Sequence, residues 1–334
     1  MLSNRGDAIT SLGLTKRQWI RVRSQWLGVT YAEWQGIIEG GVRTWPSMGK
    51  DALVSIAAAG VFKALRLYPL DGTTRPSERG DQRVAAWAGL AGLTMGPVST
   101  DTDTLDAVST PYGTGTDALS QATAVEESEN GLLVETRDGL LGFQGRHWRF
   151  VNSATSKATF GETPGSTIPY RDDAAYSDDD SLLATSVSVT PLGGTAQTAT
   201  DSTQAAKLWQ SYLTRNLLSS STPLAQSAAQ WLLSLYKAPG PRLPQISLDL
   251  AAVATISPSL VPAVLGANLS DRFTWTRNAP STISQDVYIE QMHETIRPGQ
   301  WSMQWELSPA LDQLGWVLGD AVNGLLGQTT ALMY

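Results

Sequence analysis

A chain of 334 residues, 42% of them hydrophobic and 16% charged, can bury more than one core, and its length favours two or three packed modules. Its formal charge of −7, with no long basic run, argues against stable nucleic-acid binding, which needs clustered Lys and Arg to displace counterions. With no Cys and only His147 and His293, a disulfide framework, a thiolate metal site and a His-rich zinc site are all excluded, and no cofactor is implied.

The first sixty residues read as strands followed by a helix. In Trp19-Ile-Arg-Val-Arg-Ser-Gln-Trp26 the apolar Ile20, Val22 and Trp26 share one parity, and Gly28 follows as a turn signal. A second strand is predicted over 31–38, ending at Gly40-Gly41, and a third over 53–56 that feeds a short apolar helix through Phe62 and Leu65. Ser77 opens a further predicted helix, with Val84, Trp87, Ala88 and Ala91 at helical spacing. Residues 94–115 are too rich in Gly, Pro, Ser, Thr and Asp to hold a long regular element. Another helix is expected over 116–128, closed by Asn130-Gly131 as a C-cap.

Two β-rich runs then flank Asp138-Gly139, the dipeptide of a tight hairpin. After an irregular stretch over 152–181, Val187-Ser-Val-Thr190 and Gly193-Gly194 predict a second hairpin returning through Gln197 and Thr198. Two amphipathic helices follow. Ser202 caps the first, which places Ala205, Leu208, Trp209, Tyr212 and Leu213 on one stripe. Thr222-Pro223 opens the second, whose stripe is Ala228, Trp231, Leu232, Leu235 and Tyr236, and Pro239-Gly-Pro241 stops the pair. Alternation at Ile246, Leu248 and Leu250, at Phe273 and Trp275, at Val287 and Ile289, and at Trp301, Met303, Trp305 and Leu307 predicts strands as far as Pro309. The expected division is a β module over 1–66, a helical and turn-rich insertion over 67–130, a β module over 131–310 with a helical pair at about 202–238, and an arm over 311–334.

That arm has only Asp312 and Asp320 as charges among many apolar side chains. Burying a large apolar side chain stabilises by roughly 1.5–3 kcal/mol, so the arm is expected to dock on a neighbouring chain, with a self-packed hairpin as the alternative. Trp316, Leu318, Leu325 and Leu326 are its interface candidates, Trp316 first because Trp is enriched at binding hot spots.

No catalytic pattern stands out. His293-Glu294 lacks the second His of a His-Glu-x-x-His zinc motif, and neither a Gly-x-Ser-x-Gly elbow nor a Gly-rich phosphate loop is present. His147 reads as a surface or packing residue. Asp172-Asp173 with Asp178-Asp179-Asp180 is the densest acidic stretch, but it lacks the alternating ligands of a calcium loop and reads as solvated. A glycosidase pair among the carboxylates would be recognised only by its spacing in space. No apolar run approaches the roughly 20 residues of a membrane span and there is no signal-peptide core, so a soluble, cytoplasmically made, non-enzymatic chain is expected.

Five stretches in order carry a resemblance. They are Leu2-Ser-Asn4-Arg5 with Ile20-Arg-Val-Arg23 and Gly36; Glu129-Asn-Gly131 through the Asp138-Gly139 hairpin to Arg146; Val187 to Gly194; Ala228 to Arg242; and Met292-His293-Glu-Thr-Ile296 with Pro298, Trp301, Trp305 and Leu307-Ser308-Pro309. Together they resemble the minor tail proteins of long-tailed phages infecting actinobacteria, which are similar to hub and distal-tail components of other phages. The resemblance implies an α+β, β-dominated fold: antiparallel β-barrel or sandwich hub modules with helical insertions and an extended C-terminal arm. It also implies a structural virion protein of the tail tip, assembled in the host cytoplasm as a ring of copies, a trimer, below the tail tube. Its partners would be the distal tail protein, the tail-tube and tape-measure proteins and other minor tail proteins. A hexameric distal-tail adaptor and a receptor-binding tail protein are the alternatives. The family usually has one or two strands before its Asn-Arg segment, so the first barrel is expected to be incomplete, rearranged or completed by another chain. Thr185 stands where the family often has Asn.

Overall fold

The computed structural model describes residues 2–4, 16–44, 52–177, 183–208, 210–237, 241–278 and 282–310. The fold is α+β with strand predominant. Four antiparallel strands come first: β1 (Leu2–Asn4), β2 (Trp19–Trp26), β3 (Val29–Thr44) and β4 (Ala52–Ala59), in the order β1-β4-β3-β2. Leu27 (φ 47) and Gly28 (φ 84) make the two-residue β2–β3 turn, both with the positive φ that matches strand twist. Contrary to expectation, β3 does not end at Gly40-Gly41. A bulge between Ile38 and Gly40, with Glu39 as the extra residue, lets the strand continue against β4 through both glycines. Gly36, a turn residue by resemblance, lies inside β3, where the Trp34 indole occupies the space a Cβ would need.

The helix Val61–Leu67 leads into a second block. It contains β5 (Thr74–Arg75), β6 (Glu78–Arg79), the helix Gly80–Leu90, β7 (Met95–Val98), β8 (Thr104–Leu105), β9 (Val108–Ser109), the helix Ala118–Glu129, and the hairpin of β10 (Leu132–Glu135) and β11 (Leu141–Gln144). The helix expected from Ser77 starts at Gly80 because Glu78 and Arg79 pair with β8. Asp117 caps the helix Ala118–Glu129 by accepting the Ser120 N–H at 2.8 Å, and Asn130 closes it in the left-handed conformation. The hairpin loop is five residues, 136–140, wider than an Asp-Gly turn alone requires, because the Thr136 hydroxyl oxygen accepts the Leu140 N–H at 3.0 Å. Leu141 and Phe143 join Val61, Leu65, Val84 and Trp87 in one buried core.

The chain continues through the helix Trp148–Asn152, β12 (Thr159–Phe160), β13 (Ser186–Thr190), β14 (Gln197–Thr200), the helix Ser202–Leu208, β15 (Tyr212–Asn216) and the helix Thr222–Tyr236. The first of the expected helical pair is cut short. Tyr212 and Leu213 lie in β15, pairing in parallel with Ser186 and Val187, so long-range pairing overrides the helical stripe. Thr185 begins this contact, its hydroxyl oxygen accepting the Ser211 N–H at 3.0 Å. Pro223 sits in the first turn of the second helix, and Ala225, Ala228, Ala229 and Leu232 pack on Val187 and Val189.

A five-stranded sheet completes the body: β16 (Gln245–Asp249), β17 (Arg272–Arg277), β18 (Ile283–Arg297) and β19 (Gln300–Pro309), in the order β12-β17-β18-β19-β16. Leu250, expected in a strand, instead starts the helix Leu250–Ile256, because Asp249 accepts the Ala251 N–H at 3.0 Å. The helix Val261–Leu265 covers the same core, in which Phe160 stacks on Phe273 and Trp305 meets both edge-on, with ring centroids 5.1 to 5.8 Å apart. Trp26 and Tyr31 of the first sheet pack on this core and tie the two ends of the chain together. Among the described residues no sheet closes into a barrel, so the expected barrel modules are open sheets with free edges. The arm over 311–334 lies outside the described residues.

Candidate functional site

The charged side chains gather at two seams between modules. At the first, the loop between β10 and β11 carries Arg137 into a cleft between β3 and β18. Its guanidinium donates to Glu33 of β3 and, at 2.9 Å, to Glu294 of β18. The Ser24 hydroxyl on β2 donates to the other Glu33 oxygen, and the Trp301 indole N–H on β19 donates to Glu294 at 3.2 Å. Burial pushes both carboxyls above their usual range, against the pull of Arg137. Two residues earlier, burial pushes the Glu135 carboxyl up to about 7, although it accepts the Val61 N–H where the helix Val61–Leu67 begins. That carboxylate fits only because residue 60 is Gly, since a Cβ there would lie 1.8 Å from it. These groups line a cleft of about 530 Å³ with Val22, Trp34, Leu269, Met292 and Ile296.

At the second seam, Arg149 forks onto Glu290 at 2.7 and 2.6 Å, donates to Ser270 at 3.1 Å, and lies 4.8 Å from the centre of the Tyr288 ring. Burial works to raise the Glu290 carboxyl, but the Arg149 fork and the Ser308 hydroxyl outweigh it and hold it low. Arg146 forks onto Asp103 at 2.8 and 2.9 Å and reaches Glu129 at 3.3 Å. Burial, reinforced by Asp103, pushes Glu129 up to about 8. Here the hairpin, the helix Thr222–Tyr236 and the large sheet enclose about 500 Å³ lined by Trp148, Phe150, Trp231, Tyr236 and Tyr288. At both seams the Arg and Glu side chains bond mainly to one another, which fixes module against module.

A third feature lies on the surface. Among the described residues β2 is an edge strand. Its Trp19 and Val22, the turn residue Leu27, Val29 at the start of β3, and Ile296 near the tip of β18 are exposed apolar side chains. Lys16, Arg17, Arg21 and Arg23 make the same edge basic, and the next acidic residue is Glu33.

The interface candidates Trp316, Leu318, Leu325 and Leu326 lie outside the described residues. His147 contacts Asp101 at 3.0 Å and His293 contacts Gln291 at 2.8 Å. Asp172 and Asp173 are exposed, while Asp178, Asp179 and Asp180 lie outside the described residues. Among the described residues no group of three or more His, Asp or Glu is placed to hold a metal ion. Sequence reading did not single out the Arg137 and Arg149 joints. Arg137 meets its partners across 104 and 157 residues, and no local spacing encodes such a contact.

No protein family and no curated protein matches the chain by sequence. Solved structures do match in fold. The chain is similar to the 43 kDa tail protein of prophage MuSo2 from Shewanella oneidensis, at 10% identity and a TM-score of 0.56, over 88% of this chain and 82% of that one. It is similar to the tail protein from Neisseria meningitidis MC58, at 12% identity and a TM-score of 0.59, over 86% of this chain and 83% of that one. It is also similar to prophage tail protein gp18 from Listeria monocytogenes EGD-e, at 12% identity and a TM-score of 0.50, over 88% and 86% of the two chains.

Proposed function

We propose that a chain folded in this way is a structural, non-enzymatic subunit of a phage tail, and specifically of the tail tip of a long-tailed phage. The observation that carries the reading is the shared fold with tail proteins over most of both chains. The seams support it, because ion pairs that hold open sheets at fixed angles suit a part that must present surfaces to other subunits. In this reading copies form a threefold hub ring below the tail tube, contact the distal tail, tape-measure and other minor tail proteins, and help organise host attachment and DNA delivery. The chain would be found in the virion, and its net charge of −7 accords with a part that does not retain nucleic acid.

Imaging of intact tail tips tests this directly. A threefold ring of this chain at the tip is the expected result. A sixfold ring would transfer the chain to the distal-tail role, and its absence from the tail would overturn the reading. The purified protein is expected to leave peptidoglycan intact, and release of soluble fragments would make it an enzyme.

A further inference from the structure

We propose that the edge of β2 left unpaired among the described residues, with the apolar strip beside it, is the docking site for the segment 311–334 of a neighbouring copy. This rests on the reading of the chain as a self-assembling subunit and names the surface that would accept the arm. β2 is eight residues long and, among the described residues, is hydrogen-bonded to β3 on one side only. An edge of that length is a template for an added strand, and exposed Trp19 shares one strand face beside it with Arg21 and Arg23. Val22 alternates to the opposite face, where it lines the cleft of Glu33 and Glu294 together with Ile296.

Charge selects the occupant. Lys16, Arg17, Arg21 and Arg23 put four cations on this edge with no acidic residue among them. Two β2 edges would therefore repel each other, which disfavours a symmetric β2–β2 pairing. The segment 311–334 has the opposite character, with Asp312 and Asp320 as its charges and no Lys, Arg or His. Leu314, Trp316 and Leu318 fall on one parity between the two Asp residues, so an extended run there offers apolar side chains to one face.

Chain direction favours a neighbour over the same copy. Ile296 at the strip pairs with Trp301, whereas Val287 at the far end of the hairpin pairs with Pro309. β19 thus delivers the chain at Ala310 heading away from its own β2 strip. The 24 residues that follow would span at most about 80 Å when extended, ample to cross to an adjoining subunit.

Because the chain has no Cys, introduced thiols are the only ones present. Full-length Arg21→Cys protein is mixed under oxidising conditions with each of Leu314→Cys, Trp316→Cys and Leu318→Cys. A mixed disulfide dimer with at least one of them is expected, and Arg21→Glu with Arg23→Glu should weaken self-association at least tenfold. A bond that forms only within a single chain carrying both thiols would assign the segment to its own body and overturn the proposal. Self-association without any mixed disulfide, and unaffected by the charge reversals or by removal of 311–334, would overturn the docking site but leave the subunit reading standing. No self-association at the highest soluble concentration, with no mixed disulfide, would overturn both.

Discussion

Replacing Arg137 with Met removes the cation that Glu33 and Glu294 share while keeping a long side chain in the cleft. Arg137 and Glu33 are nearly inaccessible and Glu294 is mostly buried, so water cannot take over the lost interaction. Breaking a buried pair of this kind costs about 3–5 kcal/mol with the carboxylates ionised, a large share of a typical domain's stability of about 5–15 kcal/mol. The loss depends on pH with a definite sign. Both carboxyls already have folded-state pKa values above their unfolded ones, so each loses stability as pH rises from the unfolded value through the folded one. Removing Arg137, which holds both down, moves the folded values higher still. The variant should therefore fall further behind at pH 8 than at pH 5, because less of each carboxyl is ionised at the lower pH. Urea unfolding at both pH values measures this, and hydrogen exchange should locate the opening at β2 and β3, which the clasp ties to β18. Adding Glu33→Gln and Glu294→Gln should recover more than half of the loss at pH 8. An equal loss at the two pH values, or a loss below about 1 kcal/mol at pH 8, would show that the clasp does not join these modules.

Gly60→Ala should displace the Glu135 carboxylate from the start of the helix Val61–Leu67 and destabilise the chain by about 1–3 kcal/mol; a thermal unfolding midpoint equal to that of the parent would refute the close approach. Glu129, pushed up to about 8, takes up a proton on folding, so its contribution to stability should fall as pH rises from about 4.5 to 8. Glu129→Gln should flatten that decline, and denaturation at pH 5.5 and 8.5 that shows the same slope in both proteins would count against it. Trp316→Ala should weaken assembly more than it weakens the folded subunit, which sedimentation and unfolding of the same preparation can separate; equal effects on both would place Trp316 in the subunit's own core.

Features set by a few neighbouring residues were legible in the sequence. Pro223 after Thr222 marked the helix Thr222–Tyr236, Asn130 marked the end of Ala118–Glu129, and the parity of Trp301, Met303, Trp305 and Leu307 marked β19, because caps, turns and alternation act within a few residues. Tertiary structure decided where competing local preferences were close in energy. Tyr212 and Leu213 satisfy a helical stripe, yet pairing with Ser186 and Val187 makes them strand, since propensity differences of under about 1 kcal/mol yield to a ladder of hydrogen bonds and a buried face. Gly40-Gly41 has the composition of a strand end, yet pairing with β4 carries β3 past it, with Glu39 left as the bulged residue. The clasp on Arg137 was beyond sequence reading for a different reason: its meaning comes from Glu33 and Glu294 closing on it across most of the chain, and distance through space has no counterpart in spacing along a single sequence.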